Sequence, residues 1–574
     1  MKYLLCLPLA CAIAVAQTGT PAVVPSPAPA VKPEDKCEVK GTVVNSMTGE
    51  PLKKAHLSLR PIRQQDGMPY GTTTDAGGHF LLDDVDPGRY SFIASRNGFV
   101  TQQYSRDGAA RRATTLTLAA GQKMTDVIFK LTPQAIIAGH IVDEDGEPLA
   151  GVGVQTMRVG YARDGKKQFM PGAGAATNDL GEYRIRGLAP GKYFIVATYR
   201  SSGLSPYEMP ERITGGSEAQ QAADEGYPTT YYPNATRAES AAQIEIGPGS
   251  QIQGIDMRLI RTRTAHIRGR VVNVPSRFAQ NMMVQLLPRD MTFARMGIQN
   301  IARAAGNGGT FELRGVAPGS YVLSAFSNND VEALRARMPI EVGASNIDKI
   351  ELTLMPGVEI AGRLVVEGQP NPAAGVTDPN ANSTNPRPYV SLMPKASSMM
   401  GGPGTQVKED LAFKLDHVSR EPYDIGVGGL PEGYYLKSVR IGDQDVTDTG
   451  VDFTEAAPAG EIVVIVSANG GQIDGTVQNE KSEPAAGATV VLIPEASRRS
   501  SNYLYKRVGT DQNGHFTIKG VKPGEYKVFA WEDVENGAYQ DPDFLKPLES
   551  KGEAVSIKEN AHESMQVKVI PVEK

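Results

Sequence analysis

Seven histidines and three cysteines are the obvious carriers of chemistry in these 574 residues. None of the histidines has a Glu three residues downstream, and no His-Glu-x-x-His occurs, so the spacings that open zinc-peptidase sites are missing. His79 and His515 share a slot just after a turn glycine, where other repeats carry Glu182 and Thr310. A slot that accepts such different residues reads as an exposed strand start rather than a metal ligand. No Gly-x-Ser-x-Gly elbow or phosphate-cradling glycine loop is found. The turn Asp511 to Gly514 lacks the alternating acids and distal Glu of a calcium loop. Two aromatic loops remain. One contains Tyr231 and Tyr232 within Tyr227 to Pro233; the other runs from Trp531, the sole tryptophan, through Tyr539 to Phe544. Exposed, these rings would be flat apolar platforms for sugars, with carboxylates nearby for hydroxyls. The plainer reading has them covering a hydrophobic edge or packing between repeats. No catalytic residue, metal or cofactor is expected.

The elements that would position these residues are announced by a repeated phrase. Gly520-Val521-Lys522-Pro523-Gly524-Glu525-Tyr526 recurs as Asp84 to Tyr90, Gly187 to Tyr193 and Gly315 to Tyr321, with Gly429 to Tyr435 as a worn copy. A tight Pro-Gly turn would deliver each Tyr to the start of a core strand, where its hydroxyl finds backbone. Tyr90, Tyr193, Tyr321, Tyr435 and Tyr526 are therefore expected to be structural.

Around the phrase each repeat has the same order. It opens on an apolar-x-Gly-x-apolar strand: Val39 to Val43, Ile137 to Ile141, Ile267 to Val271, Ile360 to Leu364 and Ile473 to Val477. Positions i, i+2 and i+4 share a face, and the central Gly keeps that face small where another backbone approaches. Polar turns such as Asp75 to Gly78, Asn178 to Gly181 and Asp511 to Gly514 lead to an aromatic, Phe80, Tyr183 or Phe516. Each repeat closes on another alternating strand, as in Met565 to Val569. A period of about one hundred residues with six or seven short strands suits a β-sandwich. Only Glu218 to Ala223 and Val331 to Arg337 read as short helices, both in loops.

The expected class is all-β, a tandem array of five transthyretin-like or Ig-like sandwiches. Its divisions are a signal peptide at 1–16, a Pro/Ala-rich linker at 17–36, and repeats at 37–132, 133–263, 264–355, 356–470 and 471–574. The second repeat carries a long loop insertion and the fourth is degenerate. The joints are short, which predicts a semi-rigid rod. The order apolar-x-Gly-x-Val, Gly-x-Pro-Leu, Asp-x-x-Gly-x-Phe, Gly-Val-x-Pro-Gly-x-Tyr resembles the carboxypeptidase regulatory-like domain. That resemblance extends over essentially all of 37–574. It implies a transthyretin-like fold, related to starch-binding-like and collagen-adhesin stalk domains, in an extracytoplasmic setting. It does not imply peptidase activity. Adhesin stalks often carry a Lys–Asn cross-link, but the opening strands here lack a core-facing Lys and the closing strands lack Asn, so none is expected.

Composition narrows the partners. A net charge of −5, with acids and bases interspersed, argues against nucleic acid and against a polybasic membrane surface. Met1-Lys2, an apolar stretch to Val15 and Ala14-Val15-Ala16 fit a cleaved export signal; a lipoprotein reading would use Cys11. The apolar stretch is too short to span a bilayer as a permanent helix, and no second one follows. Cleavage would leave Cys37 alone, either inert at the first strand or bridging two chains. The function expected is a non-enzymatic, exported binding, scaffolding or spacer protein of the cell envelope, periplasmic, surface-bound or secreted. Polysaccharide capture, and service as an accessory subunit of an envelope peptidase or transporter, are the alternatives. The partner is thus an envelope protein or a polysaccharide.

Overall fold

The computed structural model describes residues 32–62, 68–104, 115–162, 164–199, 225–275, 282–289, 300–304, 309–327, 334–368, 387–395, 402–455 and 460–572. The signal peptide, most of the linker and the helix expected over Glu218 to Ala223 lie outside these residues.

The chain is all-β. In the first repeat the opening strand Cys37–Asn45 is central to a three-stranded sheet. It pairs antiparallel with His79–Val85 and parallel with the closing strand Lys123–Leu131. A second sheet runs Tyr70–Thr73, His56–Pro61, Gly88–Ser95, then Gln102–Gln103, with Leu116–Leu118 also on Gly88–Ser95. Alternation along each strand turns Val39, Val43, Leu57, Leu59, Phe80, Phe92 and Phe129 into one shared core. Phe92 and Phe129 meet edge to face, centroids 4.9 Å apart. Each such fully buried side chain contributes roughly 1.5–3 kcal/mol.

The plan recurs around the opening strands Ala135–Val142, Ala265–Val272, Val358–Glu367 and Gly471–Gln478, each with its own apolar core. In the last repeat the two sheets join, because Ala530 in Gly524–Trp531 stands beside Val569 in His562–Ile570. The opening glycines do what their spacing predicts. A Cβ on Gly475 would lie 2.6 Å from the Met565 carbonyl oxygen, and one on Gly362 2.6 Å from that of Ile462. At Gly41, Gly139 and Gly269 the carbonyls of Val127, Ile255 and Ile350 come closer still. The closing strand can lie this near only because no side chain intervenes.

Two expectations are corrected. Of the helix expected over Val331 to Arg337, residues 331–333 lie outside the described residues and the rest opens the strand Arg335–Val342: it pairs along Gly319–Ser327, with Ala336, Ile340 and Val342 buried and Arg335, Arg337 and Glu341 exposed. Its period of two outweighs the helix preference of Arg335, Ala336 and Arg337. The array is also not a simple rod. Gln512 of the last repeat hydrogen-bonds to Thr117 of the first, and Tyr161 of the second packs against the last. No helix among the described residues is long and apolar enough to cross a membrane.

Candidate functional site

The four full copies of the repeated phrase build the same corner. The Tyr90 hydroxyl donates to the Asp86 carbonyl at 2.7 Å, Tyr193 to Ala189 at 2.8 Å, Tyr321 to Ala317 at 2.9 Å and Tyr526 to Lys522 at 2.8 Å. Six residues before each Tyr the chain is left-handed, at Asp84 (φ 54°), Gly187 (82°), Gly315 (65°) and Gly520 (65°). That twist points the strand ends so that the ring folds back over the turn. Burial disfavours the phenolate and pushes Tyr526 up to about 12.

The fourth repeat departs from expectation. Its corner is His417 to Tyr423, not Gly429 to Tyr435. The Tyr423 hydroxyl donates to the Ser419 carbonyl at 3.1 Å, and His417 takes the left-handed position at φ 57°. Arg420 and Glu421 replace Pro and Gly, which hid the phrase; what the corner requires is the left-handed residue and the Tyr six later. Tyr435 instead begins Tyr435–Ile441, which pairs with the closing strand Ile462–Ser467 and widens the first sheet.

A second repeated device had no reading in the sequence. Thr510 is fully buried; its hydroxyl donates to the Ala485 carbonyl at 2.7 Å and accepts from the Ala488 amide at 2.9 Å. Thr74 and Thr177 make the same pair of bonds, to Leu52 and Ala55 and to Leu149 and Val152. The signal was present as the Thr before Asp or Asn in each polar turn. That Asp or Asn holds the turn itself: Asp511 Oδ1 accepts from the amides of Asn513 and His515 at 2.8 and 2.9 Å.

The aromatic candidates do not form open platforms. Trp531 is 3% exposed and stacked on Phe529, centroids 5.3 Å apart and planes 10° from parallel. Tyr539 is buried and donates to Asn536 Oδ1 at 2.9 Å. Both belong to a cluster on the outer face of the second sheet, with Val491, Ile493, Leu545 and Ile570. The segment from Val534 to Lys551 closes over it, started by Asp541, whose carboxylate caps the short helix Pro542–Leu545. Tyr231 is buried in a smaller outer cluster of the second repeat, with Met157, Val196 and Ala238. Tyr232 is half-buried against that repeat's main core. A sugar platform needs a free ring face; Trp531, Tyr539 and Tyr231 are buried, and Tyr232 is half-buried. The indole N–H of Trp531 is buried with no hydrogen-bond partner among the described residues.

The remaining candidates are as plainly placed. His79 and His515 are exposed. Cys37 is 1% exposed, its Sγ donating to the Ala119 carbonyl at 3.0 Å, so it is not available to bridge chains. Among the described residues no group of three or more His, Cys, Asp or Glu could hold a metal ion. Among the described residues an ion cluster lies in the third repeat, where Glu312 meets His266, Arg268 and Arg314. Partial burial raises the Glu312 pKa, but hydrogen bonds from His266, Arg314 and Arg268 outweigh it and hold the carboxyl at about 2.

Residues 38–132 and 472–534 match the carboxypeptidase regulatory-like domain family. No curated protein matches the chain. Among solved structures, the TIE protein of Bacillus anthracis is similar at 13% identity over 56% of this chain and 51% of its own, TM-score 0.16. The chain thus spans about half the length of that protein. A minor pilin of Streptococcus agalactiae is similar at 13% identity over 42% of this chain and 99% of its own, TM-score 0.23. The major pilin subunit of Bacillus cereus gives 11% identity, 55% and 99% coverage, and a TM-score of 0.14. With its strand order, tyrosine corners and matched segments together, the chain is an all-β sandwich protein carrying carboxypeptidase regulatory-like domains at 38–132 and 472–534.

Proposed function

We propose that this is a non-enzymatic, exported scaffold of the cell envelope, made of five sandwich units at 37–132, 133–263, 264–355, 356–470 and 471–574. The observation that carries this reading is the use of the conspicuous side chains. The repeated tyrosines close corners, the repeated threonines clamp turns, and Trp531 and Tyr539 lie under a lid. Function is thereby left to the loops at the sandwich ends, where binding surfaces of such folds vary freely. Export rests on the N-terminal sequence; mature protein beginning at Gln17 would support it, and chain retaining Met1 in the cytoplasm would count against it.

An affinity pull-down from the native envelope, run beside a glycan array, tests the role. Specific capture of an envelope protein with a blank array is the expected result. Specific glycan retention would favour polysaccharide capture instead. Capture of a peptidase or transporter alone would favour the accessory-subunit role. Turnover of an envelope peptide or glycan by the purified chain would overturn the non-enzymatic reading.

A further inference from the structure

The last repeat touches the first across almost the whole length of the chain. Leu116–Leu118 is an outer strand of the first repeat's second sheet; Leu116 and Leu118 point into the core, and Thr117 faces out. The Thr117 amide donates to Gln512 Oε1 at 3.3 Å, and Gln512 Nε2 donates to the Thr117 carbonyl at 3.0 Å. Asp511 stands beside Thr115 as a parallel bridge partner. The carboxamide has the donor and acceptor of one peptide group, so it completes the ladder as one residue of an added strand would. The equivalent turn positions are Ala76, Asp179 and Glu409. None of these can donate and accept together.

A second seat lies on the lid. The hairpin Gly153–Tyr161 and Lys167–Ala176 is longer than its counterparts, such as Thr489–Pro494 and Lys506–Gly509. Its tip reaches the last repeat, where Tyr161 packs against the Trp531 cluster. The lid has Gly537 where a Cβ would lie 2.8 Å from the Tyr161 Cβ and 3.0 Å from the Ala162 carbonyl oxygen. Lys167 Nζ is 3.6 Å from the Asp541 carboxylate.

We propose that the last repeat is a clasp that closes the chain onto its first two repeats, and that the edge at Thr115 to Leu118 is an interaction surface for the Gln512 turn of the same chain. The polar contacts are few, but the two partners belong to one chain, so their meeting is intramolecular and weak contacts suffice. The clasp also covers an edge that would otherwise be open to strand addition.

The test places cysteines at Thr117→Cys and Asn513→Cys in the full chain and treats it with a short thiol-to-thiol cross-linker, with each single substitution, which keeps the buried Cys37, as control. Cross-linking within one chain, read as a 117–513 peptide pair in monomeric protein, is the expected result. Adding Gln512→Glu, which removes the donor and sets a carboxylate against the Thr117 carbonyl, lowers the yield several-fold. Absence of the 117–513 pair, cross-links only between chains, or an undiminished yield with Gln512→Glu overturns the clasp. Solution scattering of the unaltered chain is the second measurement. Five sandwiches end to end would span roughly 170 Å at ordinary domain dimensions. A particle of that length refutes closure, and a markedly shorter one supports it.

Discussion

Replacing Tyr526 by Phe removes one oxygen and leaves the ring. The lost bond is the 2.8 Å donation to the Lys522 carbonyl, at a ring that is 3% exposed. Water cannot easily reach the abandoned carbonyl, so the cost is about 1–1.5 kcal/mol. With ordinary urea sensitivity for a domain of this size, the midpoint moves down by roughly 0.5–1 M. The assay is unusually selective, because Trp531 is the only tryptophan and lies in the last repeat. Its fluorescence therefore follows that repeat together with the Tyr161 contact beside it. Tyr321→Phe makes the equivalent cut in the third repeat, where the bond to Ala317 is 2.9 Å. It should leave the tryptophan transition in place. An unmoved midpoint for Tyr526→Phe, or equal shifts for both variants, would refute the assignment of these tyrosines to independent corners.

Other perturbations follow the same logic. Thr510→Val orphans the Ala485 carbonyl and the Ala488 amide, and should destabilise the last repeat by about 2–3 kcal/mol in the same titration. Gly475→Ala sets a methyl 2.6 Å from the Met565 carbonyl oxygen and should cost about 1–3 kcal/mol, read as faster amide exchange in His562–Ile570. Burial holds the Tyr526 phenol at about 12, above the unfolded value near 10. The folded state therefore keeps a proton that the unfolded chain releases. Its contribution is complete below about pH 10 and is lost as pH rises through 12, so the urea midpoint should be level from pH 7 to 9 and fall above 10. Trp531→Phe removes an unpaired buried donor and should be nearly neutral in calorimetry, whereas Trp531→Ala should cost roughly 3–5 kcal/mol.

Much of the architecture was legible because it is written in backbone-demanding residues. The opening glycines marked close approaches of the closing strand, and parity separated Tyr526 from Trp531: the first faces the main core and the second the outer cluster. The fourth corner was not legible, because His417 adopts a left-handed conformation that its side chain tolerates but does not advertise. The helix expected over Val331 to Arg337 failed for a different reason: Glu, Ala, Leu and Arg there favour helix, and only the pairing of Arg335–Val342 with Gly319–Ser327 decides for strand. The aromatic loops stay open between platform and cover at the level of sequence, because composition says that a ring is present but not whether a lid covers it. Contacts between repeats far apart in the chain, such as Gln512 with Thr117, leave no local pattern at all.

The lid of the last repeat has one more effect. Val490, Leu492, Val528 and Ala530 face the main core, while Val491, Ile493, Phe529 and Trp531 face the lid. A sheet with one wet face polices its own alignment, since slipping by one residue exposes the apolar set. A sheet dry on both sides has lost that check, and a slipped pairing of Thr489–Pro494 with Gly524–Trp531 would still bury oil against oil. Alignment must then be enforced by groups that fit in only one frame. Tyr526 is such a group, since its hydroxyl meets the Lys522 carbonyl only when the ring lies on the inner side. The corner that ends one strand thereby acts as the index mark from which the whole two-sided sheet is counted.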